Sequence, residues 1–438
     1  MEAITYELGS QECKEVTPVV PLTLSTLVLQ SGERLPYLKD LSTGQPLYEP
    51  LIFSLTELRG RNLASNTILQ ALRSVMLLLR VLNNLGVNLV ERVNNGRLLE
   101  YGELEAVTRA CSQRISDCTE VTPQTGSAVH PRSPAKRSNA LLGNEVEATT
   151  KSIRIHYIKR YLNWLATSRL YKLETNTAQY NRLLAERDST EKILSTRTPV
   201  VGRRNSEGHR QGLAPTEIKR LQEVISPDHP ENPWSSHLRL RNYLIVRWYL
   251  CLGIRRSELL GVKVSDIEFR DCQVLIARRP DDAEDPRINE PYVKTADKLL
   301  PVDRELINET RNYVLHDRQI LTGARVHPFL FVAYPSGTPL SISAVNLIFQ
   351  NLKLKVKGIP DSISPHTLRH TWNDQFSLLA DSLGLSDTEE ARIRARLMGW
   401  SPTSEAAAHY TRRHVKKRAR EASLDLQQKL MSAKGTSK

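Results

Sequence analysis

The sequence has few cysteines and no long apolar run, and both shortages limit the classes of protein it encodes. Five cysteines among 438 residues form no CxxC pair, which argues against a zinc module and for reduced thiols in the cytosol. No stretch of about 18 apolar residues is present, so we expect nothing to span a bilayer. Residues 1–14 carry Glu2, Glu7 and Glu12 without an apolar core, which is unlike a signal peptide.

Acidic residues are outnumbered by basic ones. The chain has 61 lysines and arginines against 48 aspartates and glutamates, a formal net charge of +13. This excess favours a polyanionic partner, with nucleic acid first and an anionic membrane surface second. The hydrophobic fraction of 40% is that of an ordinary globular protein, and the length suffices for two or three domains with their own cores.

Composition divides the chain into four segments. Residues 1–48 contain β-favouring runs and predict an N-terminal extension with short strands. Residues 49–195 are predicted to form a helical domain: after the candidate cap Ser65, apolar residues repeat at helical spacing up to Gly86. Residues 196–212 mix arginines with proline and glycine, which predicts a basic linker. The last predicted domain, residues 213–438, begins with a helix that has Pro215 at its first position.

Within these domains, the patterns predict a series of helices and two hairpins. In the first, helices are expected over 99–115 and about 150–167, separated by a long loop at 119–145. In the second, a nearly all-apolar helix at about 236–252 should be buried. Predicted strands at 264–269 and 274–277 form one hairpin, and 292–294 with 299–302 a second. Helices are then predicted at about 303–317, 341–355, 365–380 and 387–398, followed by a basic terminal helix.

A basic helix face marks the stretch from Ser364 to Tyr410. Ser364 is a candidate cap for a helix whose first residue is Pro365. His366, Arg369 and His370 stand at i, i+3 and i+4, so the sequence predicts that they share one face.

These residue types suit cleavage of a phosphodiester without a metal. Two arginines hold the non-bridging oxygens, a nucleophile attacks in line, and an acid protonates the leaving oxygen. Two alternatives remain open: Arg256 in place of Arg255, and Lys298 in place of Lys294. The predicted catalytic set is Arg255, Lys294, His366, Arg369, Trp400 and Tyr410, with no metal ligand.

In this order the groups resemble those of the tyrosine recombinases, the phage-integrase family. The family's first box is matched by residues 253–259, Gly-Ile-Arg-Arg-Ser-Glu-Leu, and its His-x-x-Arg-His box by residues 366–370. Its hairpin lysine matches Lys294, its Gly-His/Trp step matches Gly399 and Trp400, and its nucleophile matches Tyr410. The resemblance is firm over about 213–425 and weaker over 50–195.

The resemblance implies a mainly α fold with small β elements: a helical core DNA-binding domain and an α+β catalytic domain with a C-terminal helix. It implies cutting and rejoining of double-stranded DNA through a 3′-phosphotyrosine, without metal, ATP or cofactor. It also implies a homotetramer on paired sites, docking of the terminal helix on a neighbouring subunit, an accessory DNA-bending or directionality factor, and a cytoplasmic, nucleoid-associated location.

Further roles are expected outside the catalytic set. Glu258 and His370 are expected to support the catalytic groups, Glu258 by orienting Arg255. The predicted DNA-binding residues are Arg154, Lys159, Arg160, Arg203 and Arg204, although a solvated helix face is an equal explanation for the first three.

Three departures from the family pattern stand out: an acidic insertion at 281–285, a long spacer at 381–396, and Trp400 where histidine is commoner. Two other functions remain open. One is relaxation or resolution of DNA by the same chemistry, as in type IB topoisomerases or resolvases. The other is DNA binding and regulation without catalysis.

Overall fold

The computed structural model describes residues 21–114, 145–200, 212–401 and 422–429. The described residues fall into two compact units. The first comprises those within 1–28 and 34–205, and the second those within 29–33 and 206–438.

The first unit is helical, with one small antiparallel sheet. Strands β1 and β2 pair in register from Leu22 with Asp40 to Val28 with Arg34. Leu22 and Leu38 are buried in the same core as the helices. The elements are β1 (Leu22–Val28), β2 (Arg34–Asp40), α1 (Tyr48–Phe53), α2 (Ser65–Asn84), α3 (Leu89–Asn94), α4 (Tyr101–Ser112), α5 (Ala148–Leu170) and α6 (Ala178–Thr196), with a π-helical segment (Ser54–Arg59) after α1.

The helix predicted after Ser65 forms as α2. Its apolar stripe, including Ile68, Leu72 and Val75, is buried as the 3.6-residue spacing requires. One detail of the prediction is wrong: Ser65 is the first helical residue and is buried, and Ala64 occupies the capping position without a side-chain hydrogen bond. The loop predicted at 119–145 lies almost wholly outside the described residues.

The second unit combines helices with a three-stranded sheet of order β3-β4-β5. Helix α8 carries much of the core, with Leu244, Trp248 and Tyr249 fully buried. The elements are α7 (Pro215–Ile225), α8 (Ser236–Leu252), α9 (Arg256–Gly261), β3 (Ile267–Glu268), β4 (Gln273–Ile276), β5 (Lys298–Pro301), α10 (Arg304–Asn312), α11 (Ile342–Lys355), α12 (Pro365–Ser382) and α13 (Asp387–Met398). Residues 422–429 are also helical.

The second predicted hairpin is wrong. Residues 292–294 form no strand, and β5 pairs instead with β4, Val274 facing Leu300 and Ile276 facing Lys298. The physical reason is burial: Val274, Ile276 and Leu300 all enter the core, which a local hairpin at 292–302 would not provide. Lys298 is therefore a strand residue, whereas Lys294 lies in the segment leading to β5.

The long spacer at 381–396 is mostly helix. Ser386 caps α13 by accepting from the Glu389 backbone N–H, and Glu389 accepts from the Ser386 backbone N–H in return. Arg394, fully buried, pairs with Glu390 of the same helix and donates to Ser377 Oγ on α12 at 2.6 Å. This buried polar contact joins α13 to α12, the helix that carries the predicted histidines.

Candidate active site

The site begins at the turn between α8 and α9. Gly253 has φ of +58°, a left-handed conformation that ends α8 and that glycine adopts without a steric penalty. The chain then extends through Arg255, whose backbone N–H donates to Glu258 Oε2 at 2.7 Å. This contact caps α9 and brings both side chains to the same end of the helix.

Glu258 is the centre of the site. It is 1% exposed, and it accepts hydrogen bonds from Arg255 Nη1 at 3.1 Å, Thr295 Oγ1 at 2.7 Å and Lys298 Nζ at 3.2 Å. Arg369 Nη1 lies 3.9 Å from Glu258 Oε2, the oxygen that Lys298 binds. Burial raises the pKa of Glu258, but the charges of Lys298 and Arg369, together with hydrogen bonds from the Arg255 backbone N–H and Thr295, outweigh that effect and hold the pKa at about 2. Glu258 is therefore a buried anion with three cationic side chains close to it, Arg255, Lys298 and Arg369.

The two arginines at Glu258 differ in exposure. The Arg255 side chain is 35% exposed, so much of its guanidinium remains open to a ligand. Arg369 is 3% exposed and donates from Nη1 to the Gly253 carbonyl at 2.6 Å. The alternative residue, Arg256, points elsewhere: its Nη1 donates to Asn346 on α11 at 2.5 Å. The geometry thus favours Arg255 over Arg256 as the partner of Arg369.

The two candidate lysines occupy different environments. Lys294 is exposed, and the next residue, Thr295, is anchored to Glu258. Lys298 is buried, and its Nζ donates to Glu258 Oε2 and to the Met398 carbonyl, both at 3.2 Å. Burial lowers the pKa of Lys298 to about 8, partly offset by the charge of Glu258. The structure brings Lys298, rather than Lys294, into contact with the carboxylate.

The predicted basic face of α12 is divided between surface and interior. His366 is exposed, whereas Arg369 and His370 are buried. The two histidines touch, with 3.1 Å between their Nε2 atoms. One ring must donate and the other accept in that contact, so the pair is disfavoured when both rings are protonated. Ser364 caps the helix as predicted, accepting from the Thr367 backbone N–H at 3.1 Å.

Trp400 reaches the site despite the long spacer. Its ring lies over the Arg369 guanidinium, 5.4 Å from carbon Cζ to the ring centroid, a cation–π arrangement. The docking of α13 on α12 brings this about, because only Gly399 separates Trp400 from the end of α13.

Other predicted residues lie elsewhere or outside the described residues. Tyr410, Arg203 and Arg204 are among those not described. On α5, each of the three predicted DNA-binding side chains has an intramolecular partner: Arg154 donates to the Cys111 and Gln113 carbonyls at 3.0 and 2.6 Å, Lys159 to Ser195 Oγ at 3.1 Å, and Arg160 to the Glu57 carbonyl at 3.2 Å.

Sequence reasoning missed Thr295 and the contacts of Lys298. A signal was present: side chains alternate across a strand, so Lys298 shares the inward face of β5 with buried Leu300. Nothing local in the sequence shows that Met398, 100 residues further on, supplies a carbonyl to that lysine.

Among the described residues, no group of three or more His, Cys, Asp or Glu side chains is arranged to hold a metal ion. Within the same residues, no helix is both long and apolar enough to cross a membrane.

The second unit is thus a mainly helical domain whose candidate site gathers two arginines and a lysine around one buried carboxylate, with a tryptophan against one of the arginines. Residues 212–417 match the family model described as "Phage integrase family". Those residues, a little under half of the chain, therefore form a domain of that family, the tyrosine recombinases.

Individual relatives are distant. The chain is 20% identical over 216 residues to "TnP I resolvase" of Bacillus thuringiensis. This alignment covers 49% of this chain and 65% of the relative. It is 26% identical over 239 residues to a "Tyrosine recombinase" of Pseudothermotoga lettingae, covering 53% and 71%. It is 24% identical to "Tyrosine recombinase XerA" of Pyrococcus furiosus over 216 residues, covering 49% and 62%. The aligned part therefore spans about two thirds of each of these relatives.

Solved structures with some likeness include "Crystal structure of XerA recombinase", with a TM-score of 0.33 and 22% identity, covering 59% of this chain and 77% of that one. A Tn1549 transposon integrase in complex with transposon right end DNA has a TM-score of 0.44 and 14% identity, covering 85% of this chain and all of that one (100%).

Proposed function

We propose that this protein is a site-specific DNA recombinase that cuts and rejoins double-stranded DNA through a phosphotyrosine at Tyr410. The observation that carries the proposal is the group of three cations, Arg255, Lys298 and Arg369, around the single carboxylate of Glu258. Three positive charges against one negative charge leave two in excess at one place. In a protein with a domain of this family, we expect this excess positive charge to bind a phosphodiester.

In the proposed reaction, Arg255 and Arg369 bind the non-bridging oxygens of the scissile phosphate, and Trp400 donates its indole N–H to one of them. The Tyr410 oxygen attacks phosphorus as its proton passes to His366, forming a 3′-phosphotyrosine while the bond to the 5′-oxygen breaks. Lys294 gives the 5′-oxygen a proton, and His366 exchanges protons with the reacting groups. Attack by a 5′-hydroxyl of a second strand reverses these steps, so no ATP is consumed.

Two supporting residues complete the proposed site. Glu258 orients Arg255, which it binds at both the backbone N–H and the guanidinium. His370 supports His366 through the contact between their Nε2 atoms. We propose Lys294 as the acid because it is exposed; Lys298 is the alternative.

We further propose the four-segment organisation predicted from the sequence, with residues 49–195 and 213–438 holding duplex DNA and the basic linker 196–212 following the backbone. Recombination requires four strand cleavages, so the active form would be a homotetramer on two DNA sites. A DNA-bending or directionality factor would assist it. The working location would be the cytoplasm, at the nucleoid, in integration or excision of a mobile element.

A library of nicked duplexes with randomised sequence around the nick tests the proposal. Cleavage beside the nick releases a short 5′-hydroxyl fragment, so religation fails and the protein stays attached to DNA. Wild-type protein should yield a covalent adduct that survives detergent, and sequencing the trapped duplexes would define the site. Tyr410→Phe should give less than about 1% of the adduct, because it removes the nucleophile.

Tyr171→Phe is the matched control, because Tyr171 is 88% exposed on the first unit and should not affect trapping. Trapping by Tyr410→Phe at the wild-type level would assign the nucleophile to another residue. No wild-type adduct across the library would favour DNA binding without catalysis. Relaxation of plasmids that lack the recovered site would favour topoisomerase activity instead.

A further inference from the structure

Lys298 joins three elements at one buried atom. From β5, its Nζ donates to Glu258 on α9 and to the Met398 carbonyl at the end of α13, each at 3.2 Å. The side chain is only 3% exposed. Two of its three ammonium hydrogens therefore have protein acceptors.

The Met398 carbonyl is a natural partner for a lysine. The last carbonyls of a helix lack partners within the helix and carry a partial negative charge. Two of the preceding carbonyls are satisfied by the turn itself: the Trp400 N–H donates to Ala395 at 2.9 Å and the Gly399 N–H to Arg396 at 3.3 Å. Lys298 binds the carbonyl of Met398, the last helical residue, and so fixes the helix end from outside.

The turn after Met398 packs closely against the segment containing Lys298. Gly399 is left-handed, with φ of +65°, and a Cβ placed on it would lie 2.9 Å from the Ala296 carbonyl and 3.2 Å from Lys298 Cδ. Any displacement of this turn would move Trp400, the next residue, away from the Arg369 guanidinium.

We infer that Lys298 is a positioning residue: by binding Glu258 and the Met398 carbonyl together, it holds Trp400 at Arg369, and it does not protonate the leaving oxygen. The role in catalysis rests on the proposed function. The positioning itself does not, and it is measurable without DNA.

Hydrogen–deuterium exchange of the free protein tests the positioning. In Lys298→Met, amides of a peptide covering 395–401 should exchange at least about fivefold faster than in wild type, because the helix end loses its outside partner. Lys294→Met should leave that peptide unchanged. The double variant Lys298→Met with Glu258→Gln also removes the negative charge that Lys298 balances. Should the single variant unfold, exchange of the 395–401 peptide is measured in the double variant instead. Unchanged exchange in 395–401 of the folded variants would overturn the inference.

A leaving-group test separates positioning from proton donation. The duplex recovered by trapping is made with sulfur in place of the bridging 5′-oxygen. A thiolate leaves without protonation, since a thiol has a pKa of about 8.5, far below that of an alcohol. Loss of the proton donor should be rescued by sulfur, and loss of positioning should not.

Lys298→Met should therefore cleave both substrates at least about tenfold more slowly than wild type, whereas Lys294→Met should be slow on oxygen and close to wild type on sulfur. Lys353→Met, at an exposed lysine of α11, is the control for loss of a positive charge. Rescue of Lys298→Met by sulfur would make Lys298 the acid and overturn the inference. If wild type traps no duplex, the proposed function fails, and the exchange measurement alone decides the positioning.

Discussion

At the scale of single residues, Glu258 determines the charge balance of the site. A buried carboxylate without partners costs several kcal/mol, so the surrounding cations make its burial possible. Conversely, removing Glu258 would leave Lys298 and Arg369 buried beside each other without a counter-charge. The carboxylate therefore stabilises the cluster that we propose binds phosphate.

This charge balance predicts a pH-dependent loss in Glu258→Gln. The folded pKa of Glu258, about 2, lies below its usual value of 4.5, so its ionisation stabilises the fold above pH 4.5, and the effect is lost as pH falls towards 2. At pH 7 the variant should lose about 3 kcal/mol of unfolding free energy, and the difference should shrink as pH falls from 4.5. Denaturant unfolding at several pH values measures it.

Glu268→Gln is the control, since Glu268 is exposed on β3 and should change stability little at any pH. A loss in Glu258→Gln that stayed constant from pH 7 down to pH 2 would show that ionisation of Glu258 is not its source.

At the scale of elements, the turn between α8 and α9 requires glycine at position 253 for two reasons, its backbone conformation and its close packing. Its φ is positive, and its carbonyl accepts from Arg369. A Cβ there would also lie 2.7 Å from two atoms of the Trp372 ring on α12. The turn thus sets how closely α12 approaches the first box of residues.

Gly253→Ala should therefore be costly. Left-handed alanine loses about 1–2 kcal/mol, and the clash with Trp372 adds to that, so we expect a loss of at least about 3 kcal/mol in unfolding free energy. Gly384→Ala is a matched control: its φ is +66°, but no atom lies within 4 Å of the added Cβ. Denaturant unfolding measures both variants. Equal losses of unfolding free energy would mean that the Trp372 ring moves aside without a measurable cost.

Helix α13 shows why the spacer was hard to interpret from sequence. Its capping residues are visible locally, and a helix at 387–398 is predicted correctly. The sequence does not show how α13 packs against α12, because that packing depends on the buried contacts of Arg394 with Glu390 and Ser377. An arginine in such a charged helix would ordinarily be assigned to the surface.

At the scale of the whole molecule, the net charge of +13 favours DNA, but individual basic residues differ in what they contact. Arg154 binds the Cys111 and Gln113 carbonyls at the end of α4, where the helix lacks its own donors. These contacts give Arg154 a structural role in the first unit.

Two variants compare a basic residue of the fold with one in the predicted linker. Arg154→Ala should cost about 1–2 kcal/mol of stability and leave unchanged the slope of log binding constant against log salt concentration. Arg203→Ala, in the basic segment 196–212, should lower the magnitude of that slope by about 1 without loss of stability. Binding to one duplex at several salt concentrations gives the slopes. A reduced slope for Arg154→Ala would support the DNA-binding role predicted for that residue.

The sequence by itself determined the helices and most of their ends, because capping residues and 3.6-residue spacing act over a few neighbours, as at Ser364 and along α2. It also determined the first box, because Arg255 and Glu258 are three residues apart. Only the tertiary structure decided that β5 pairs with β4, that Lys298 rather than Lys294 binds Glu258, and that Trp400 meets Arg369. Those contacts join residues far apart in the chain, and they form where burial of the whole core, rather than any local preference, is most favourable.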